Sequence, residues 1–472
     1  MRFRLLYFCI ALLSASAASA QTYTLEQCRQ MARQNNKELR QATAKQQAAY
    51  WQRKSAFTNY LPKVSATGGY MFTSREISLL TDEQKTTLPH LGDGMAQQLA
   101  AMGQGQLGML LQQPLNGVGQ KLVDALDTDT RNAAAIAFQL TQPLYMGGKI
   151  KAYNNIARLA EQAAGEQYSI AEQNLLTEVD ETYWQIVALK AKQELAQSYL
   201  ALTEALDKDV DAMIQEGVAT RADGLSVKVK VTQARTATIQ VANGLTILRM
   251  LLCQLCGLDV NTPIQLADES LLDNLPTDLD QYKADGDAWR SQRPELQALN
   301  TVVSIGQEKV KVARSEFLPS VALTGGYTLL TPGLFNGFEK KMTGLWNVGV
   351  AVNIPIVTWG DRKYKVEMAK AQVEADRYRL EETTEKVELQ VAQSRQRVAE
   401  SSQRMEAAQR NREAADENLR MATLGMKEGV IPVLNVNEAQ TAWLSARTEL
   451  ISTQIDLKLA HIHLRKALGL TN

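Results

Sequence analysis

The chain has 472 residues, with 51 Lys plus Arg against 51 Asp plus Glu, a formal net charge of +0. That balance excludes a broad polyanion-binding surface, so nucleic acid is not an expected partner. Aromatic residues are only 6% and charged residues 22%, with a mean hydropathy of −0.24, which is lean for a large compact core and suited to long, wetted helices.

The chain begins with a basic stretch, "MRFR", an apolar run, "LLYFCIALL", and small residues at Ala18–Ala20. This is the pattern of a secretory signal peptide over residues 1–20, with a mature chain expected from Gln21 outside the cytoplasm. Beyond residue 20 the pattern offers no run of about 18 apolar residues, so no transmembrane helix is expected. Removing Cys9 with the signal leaves Cys28, Cys253 and Cys256, an odd number that argues against a disulfide framework. "CQLC" at Cys253–Cys256 reads as a buried structural pair, because no second Cys or His pair stands nearby to complete a metal site. His461 and His463 face different sides of a helix. No metal, cofactor or catalytic constellation is expected, and an enzyme is not.

From Gln21 the chain reads as a duplication. "NYLPKVSATGGY" at Asn59–Tyr70 returns as "EFLPSVALTGGY" at Glu316–Tyr327, 257 residues later. "QPLYMGGK" at Gln142–Lys149 returns as "IPIVTWGDR", with Pro355 on Pro143, 212 residues later. "EGVATRADGLSV" from Glu216 and "EGVIPVLNVNEA" from Glu428 keep the offset of 212. The first half therefore carries 45 extra residues in one loop, at about residues 73–130. The pattern divides the chain into a first repeat over 21–257, an irregular linker over 258–293 and a second repeat over 294–472.

Each repeat reads as a lead-in helix, two strands, a very long helix, a turn and a returning helix. No proline falls between Pro143 and Pro263 or between Pro355 and Pro432, as uninterrupted helices require. The first long helix is predicted from about Gly148 to Ile214, roughly 100 Å at 1.5 Å per residue, and the second from Asp361 to about Leu424. Leu176, Val179, Tyr183 and Ile186 step by three and four along a narrow stripe, as do Leu380, Val387, Val391 and Val398. By itself that face pattern also fits a solid coiled-coil rod.

The predicted strands alternate. Trp346, Val348, Val350, Val352 and Ile354 share one face, and Asn347, Gly349, Ala351 and Asn353 the other. Val321, Leu323, Tyr327 and Leu329 repeat the scheme, as do Val64, Tyr70 and Phe72, and Ile136, Phe138 and Leu140. Such strands fit a half-buried soluble sheet, or lipid on one side and water on the other. Four strands cannot close a barrel, and open edges are not tolerated in hydrocarbon. A membrane-spanning sheet therefore needs several chains, and a trimer would supply twelve strands. Gly68, Gly69, Gly325 and Gly326 suit a curved wall, and Pro143 and Pro355 are expected where strand hands over to helix.

In order and duplication these motifs resemble the outer-membrane efflux protein family, the TolC-like channel tunnels. The resemblance rests on the two "LP…GGY" strands, the "PLYMGGK" and "PIVTWGDR" junctions and the paired "EGV" turns. It extends to the lead-in helix "YTLEQCRQMARQNN" and the terminal "LRKALGL". It implies a mostly α fold with a small β-barrel part. A long antiparallel α-helical barrel would join four β-strands per chain, and a trimer would form a 12-stranded outer-membrane barrel.

The implied function is an exit duct of a tripartite efflux pump or type I secretion system, in the outer membrane and extending into the periplasm. Its partners would be outer-membrane lipid, a periplasmic adaptor (membrane fusion) protein and a proton-driven or ATP-binding-cassette inner-membrane transporter, with two further copies completing a homotrimer. The linker resembles an equatorial domain. The resemblance assigns adaptor contact to the hairpin tips at Gly217, Val218, Thr220, Arg221, Gly429, Val430 and Leu434. It places a channel gate at Asn435 and Glu438, where this chain departs from the family's pair of aspartates, with Asp223 and Ser226 at the equivalent spots of the first hairpin. A structural periplasmic or surface coiled-coil protein is the alternative, but it has no use for four amphipathic strands.

Overall fold

A computed structural model describes residues 21–74, 79–126, 131–269, 289–333, 335 and 341–470. The expected signal peptide, much of the linker and the two flanks of the long first loop lie outside these residues. In chain order the first repeat contains β1 (Gln21–Tyr23), α1 (Leu25–Asn35), α2 (Lys37–Phe57) and β2 (Lys63–Phe72). The inserted helices α3 (Asp82–Thr87), α4 (Leu91–Ala101) and α5 (Gly105–Leu126) follow, then β3 (Asn132–Met146), α6 (Lys149–Gln215) and α7 (Arg221–Leu255). Then come β4 (Ile264–Leu266), α8 (Trp289–Gln292), α9 (Pro294–Ser315), β5 (Ser320–Thr331), β6 (Thr343–Asn353), α10 (Asp361–Lys427) and α11 (Val433–Ala467). The duplication is preserved to the residue: α6 and α10 each have 67 residues, and α7 and α11 each have 35.

Two compact units form, each drawing on both repeats. One comprises residues 52–157 and 307–371, and the other the remainder of the described chain. The first unit holds an antiparallel sheet in the order β2-β3-β5-β6. Its register sets Ala66 opposite Phe138, Phe138 opposite Tyr327 and Tyr327 opposite Trp346. Because side chains alternate with a period of two, that register gathers the apolar residues of all four strands onto one face. Val64, Tyr70, Phe72, Trp346, Val348, Val350 and Val352 on that face are all more than half exposed. Pro143 does not mark the end of its strand. It lies inside β3, where the pairing with β5 shifts between Pro143 and Tyr145, so the missing N–H falls at an irregularity in the ladder.

The inserted segment in the first loop is helical. Gly92 and Gly119 make α3–α5 a tightly packed body, since a Cβ at either would collide with the carbonyl of Gln112 or Leu88 respectively. Asp93 accepts hydrogen bonds from Gln112 (2.8 Å) and Asn116 (2.7 Å), and together with His90 they hold its carboxyl down at about 2.

In the second unit β1 and β4 pair in parallel. Fully buried Val179, Tyr183, Ile186 and Val187 of α6 form the centre of a core with Leu252 and Cys253 of α7 and Ala32 of α1. Cys28 and Cys256 join the same core as free thiols, and the Cys256 Sγ–H points at the Cys28 carbonyl at 3.6 Å. That core encloses a charge. Asp180 is fully buried and accepts from Nε and Nη2 of Arg29, each at 2.7 Å, and from Nη2 of Arg465 at 2.6 Å, tying α1 and α11 to α6. The bond to Asp180 raises the Arg29 pKa.

One expectation needs correcting. By length and composition α7 is apolar enough to cross a membrane. Its apolar character is concentrated toward its C-terminal end, where Leu245, Leu252, Cys253 and Leu255 are buried while Ile239 and Ile247 stay exposed. The first turn of α7 is closed by a capping box. The Thr220 hydroxyl accepts from Asp223 N–H at 3.2 Å, and the Thr220 N–H donates to the Asp223 carboxylate at 3.0 Å.

Two outcomes follow from these bonds. Asp180→Ala leaves two guanidinium groups facing an uncompensated interior and should cost about 3–5 kcal/mol, read as a lowered midpoint in thermal unfolding; Glu406→Ala, which removes an exposed pair with Arg410, should leave the midpoint where it was. Thr220 holds the Asp223 carboxyl below its ordinary 3.8, so the charged cap is complete above that value and is lost as pH falls through the lower folded-state pKa. The protection factors of amides in the first turn of α7, corrected for intrinsic exchange, should therefore be flat from neutral pH down to about 4 and fall only below it.

Candidate functional site: the paired hairpin tips

The two turns that break the long helices are closed by the same hydrogen bonds. In the first, Gly217 N–H donates to Ile214 O at 3.1 Å and Val218 N–H to Met213 O at 2.9 Å. In the second, Gly429 N–H donates to Met426 O at 3.0 Å and Val430 N–H to Gly425 O at 2.8 Å. Both are Schellman motifs, in which the residue after the C-cap must be left-handed; Gly217 has φ 78° and Gly429 φ 71°. The next helices then start differently, with Thr220 as N-cap in the first tip and Pro432, extended and lacking a side-chain cap, in the second. Pro432 thus occupies the N-cap itself, just ahead of the helical residues.

Beneath the tips all four helices meet. Leu206 and Val210 of α6, Val227 of α7, Ala422 and Met426 of α10, and Val433, Val436 and Ala439 of α11 form one apolar cluster. The two hairpins also share a polar contact that the sequence pattern did not single out. Asn437 donates to Ser226 Oγ at 3.3 Å, and both Asn437 and Gln440 are buried. The signal for Asn437 was its position on the buried side of α11, in step with Val433, Val436 and Gln440.

The expected adaptor-contact residues lie on the surface of these tips. Gly217, Val218, Thr220, Arg221, Gly429, Val430 and Leu434 are all exposed. Val218, Val430 and Leu434 are apolar yet 69%, 78% and 60% exposed, which a free surface gains nothing by displaying.

The expected gate residues fare unequally. Asn435 and Glu438 are exposed on α11, one helical turn apart. Asp223, by contrast, is committed to the N-cap of α7 through the Thr220 hydroxyl (2.6 Å) and N–H. Ser226 donates to Asp223 O at 2.8 Å and accepts from Asn437, so it serves packing between the hairpins. Among the described residues no cluster of His, Cys, Asp and Glu is arranged to hold a metal ion.

A family model described as outer membrane efflux protein matches residues 28–258 and 287–470. The chain is 24% identical over 331 residues to the probable efflux pump outer membrane protein TtgC of Pseudomonas putida, an alignment covering 67% of this chain and 66% of that relative. It is 22% identical over 249 residues to the alkaline protease secretion protein AprF of Pseudomonas aeruginosa, covering 52% of this chain and 50% of the relative. Among solved structures it is similar to VceC of Vibrio cholerae, with a TM-score of 0.73 at 16% identity over 94% of this chain and 96% of that one. A second similar fold is CusC, with a TM-score of 0.74 at 18% identity over 95% and 93%. The family model's match runs through both repeats, both "EGV" tips and all four strands, and the chain belongs to the outer membrane efflux protein family.

Proposed function

We propose that this chain is the exit duct of a tripartite export machine, either an efflux pump or a type I secretion system, in which three copies close a 12-stranded barrel in the outer membrane. The observation that carries this reading is the sheet β2-β3-β5-β6, with one exposed apolar face and two edge strands that, among the described residues, pair on one side only. Exposed Trp346, Val348, Val350 and Val352 are costly against water and favourable against lipid, and their small, polar opposite face suits a wet lumen. A coiled-coil rod would keep the helices but would have no need of that face. Relatives named for efflux and for secretion support the same reading at the level of the machine.

In this duct the hairpin tips dock a periplasmic adaptor protein through Val218, Val430 and Leu434, with Thr220, Arg221 and the two turn glycines beside them, and an inner-membrane transporter drives transport. Glu438 supplies the gate charge, one copy per chain, forming an acidic ring that draws cations, with Asn435 adding hydrogen-bonding capacity but no charge. No catalytic step is assigned to the chain.

Electron microscopy of detergent-extracted protein should show three-fold particles; monomers or solid rods would overturn the duct. In planar bilayers Glu438→Gln should reduce cation selectivity several-fold with the trimer intact, whereas unchanged selectivity would remove Glu438 from the gate. Val218→Asp together with Val430→Asp should abolish export in cells while leaving bilayer conductance of the purified trimer unaltered, and export at the original rate would exclude the tips as the docking surface.

A further inference from the structure

The inserted helices carry an apolar face that nothing within the described chain covers. Along α5, Leu107, Leu111, Pro114, Val118 and Leu122 step by four and three residues and so share one side of the helix. All five are exposed, Val118 by 61% and Leu107 by 48%. The neighbouring side, with Gly108, Gly119 and Val123, is already buried. On α4 Leu91 and Met95 are about half exposed, and Met102 at the turn is 75% exposed. Two apolar sides on one short helix are what a helix requires when it packs inside its own unit and against something else.

Three observations bear on what covers it. The insertion springs from β2, an edge strand of the sheet, and the β2–β3 pairing continues to a bond from Thr73 N–H to Arg131 O at 2.9 Å, which tethers both ends of the insertion at that edge. If the barrel closes as a ring, the β2 edge of one copy meets the β6 edge of the next, so the three insertions stand around one rim of the same barrel. The corresponding connection between β5 and β6 spans only residues 332–342, so each chain contributes one such body and a trimer three. Only Lys121 brings charge to the stripe's flank, leaving a charged partner little to pair with, whereas identical apolar stripes complement one another. The body is also preformed by the glycine contacts and the Asp93 bonds, so little ordering entropy opposes its association.

We propose that α3–α5 is a self-association element, in which the α5 stripes of three copies pack on one another about the three-fold axis and narrow the loop-side mouth of the barrel. This rests on the trimeric duct reading above. It adds a contact between copies that is separate from the sheet edges and the long helices, and one that the second repeat does not supply.

The test is made on the full-length trimer in mild detergent. Cys28, Cys253 and Cys256 are buried, so Val118→Cys would introduce an accessible thiol, and Gln120→Cys, on another side of α5, serves as the control. A short bismaleimide should join Val118→Cys protomers into dimers several-fold more efficiently than Gln120→Cys protomers. Adding Leu111→Gln and Leu122→Gln should remove that difference and raise single-channel conductance, with native mass spectrometry still reporting a trimer. A trimer whose Val118→Cys thiols stay unlinked and react fully with a water-soluble maleimide would overturn the proposal and leave the duct standing. Unlinked thiols that become shielded only in phosphatidylglycerol-containing vesicles would overturn it in favour of a lipid surface. Monomers in every preparation would overturn both.

Discussion

A sheet edge is a row of unpaired N–H and C=O groups, and in hydrocarbon each costs several kcal/mol. The architecture of this chain is governed by that constraint. Its four strands pair in one sheet, yet among the described residues β2 and β6 each have a partner on one side only. One face is apolar over most of its length, so the sheet is unsuited to water, and its open edges make it unsuited to lipid when alone. Closure with further copies resolves both problems, because it pairs the edges and leaves the apolar face to the bilayer.

The duplication answers a related demand from the helices. A chain that gives two strands and one helical hairpin per repeat supplies a barrel wall and a tunnel wall in fixed proportion. The equal lengths of α6 and α10, and of α7 and α11, show that insertions have been confined to the loops. A one-residue change within a 67-residue helix would rotate everything beyond it by about 100°, moving stripe residues such as Val179 and Tyr183 out of the core. A loop carries no such phase, and the first loop accommodates an entire helical body. The reversals at Gly217 and Gly429 obey the same rule, since their left-handed φ values allow each long helix to end at a set residue with its last carbonyls bonded.

Much of this was legible in the residues, because periodicity and punctuation are local. The period-two faces of the strands, the proline-free stretches and the glycines of the tips each state a geometry within a dozen positions. What was not legible depends on partners far apart in the chain. Asp180 lies on a helix face like many other acids, and nothing near it announces Arg29 or Arg465. Asn437 and Ser226 are separated by 211 residues and meet only because two hairpins pack side by side. Pro143 was misplaced for a similar reason: the end of a strand is set by its neighbour's register, and β3 runs three residues past the proline by shifting that register. The apolar end of α7 was missed because its leucine-rich run, Leu245–Leu255, is shorter than a membrane span and is broken by Arg249.

The two tips also show that equivalent positions in a duplicated chain need not retain equivalent chemistry. Asp223 and Asn435 occupy matching places, one acidic and one neutral. The carboxylate of Asp223 accepts from the N–H and the hydroxyl of Thr220, the N-cap of α7, so its charge is spent on its own helix terminus, where an anion is favoured. Pro432 offers the second tip no hydroxyl and no side-chain cap, so the residue at 435 is released from capping. With asparagine there, the nearest acid able to face open solvent is Glu438, one turn further along and exposed. Its uncommitted side chain is what an electrostatic gate requires. A carboxylate bound into a cap keeps its charge but cannot reorient toward a passing ion, whereas Glu438 has three rotatable bonds between its charge and the helix. At the matched positions of the two tips, the first hairpin thus spends its acid on its own helix terminus, and the second leaves Glu438 exposed to solvent.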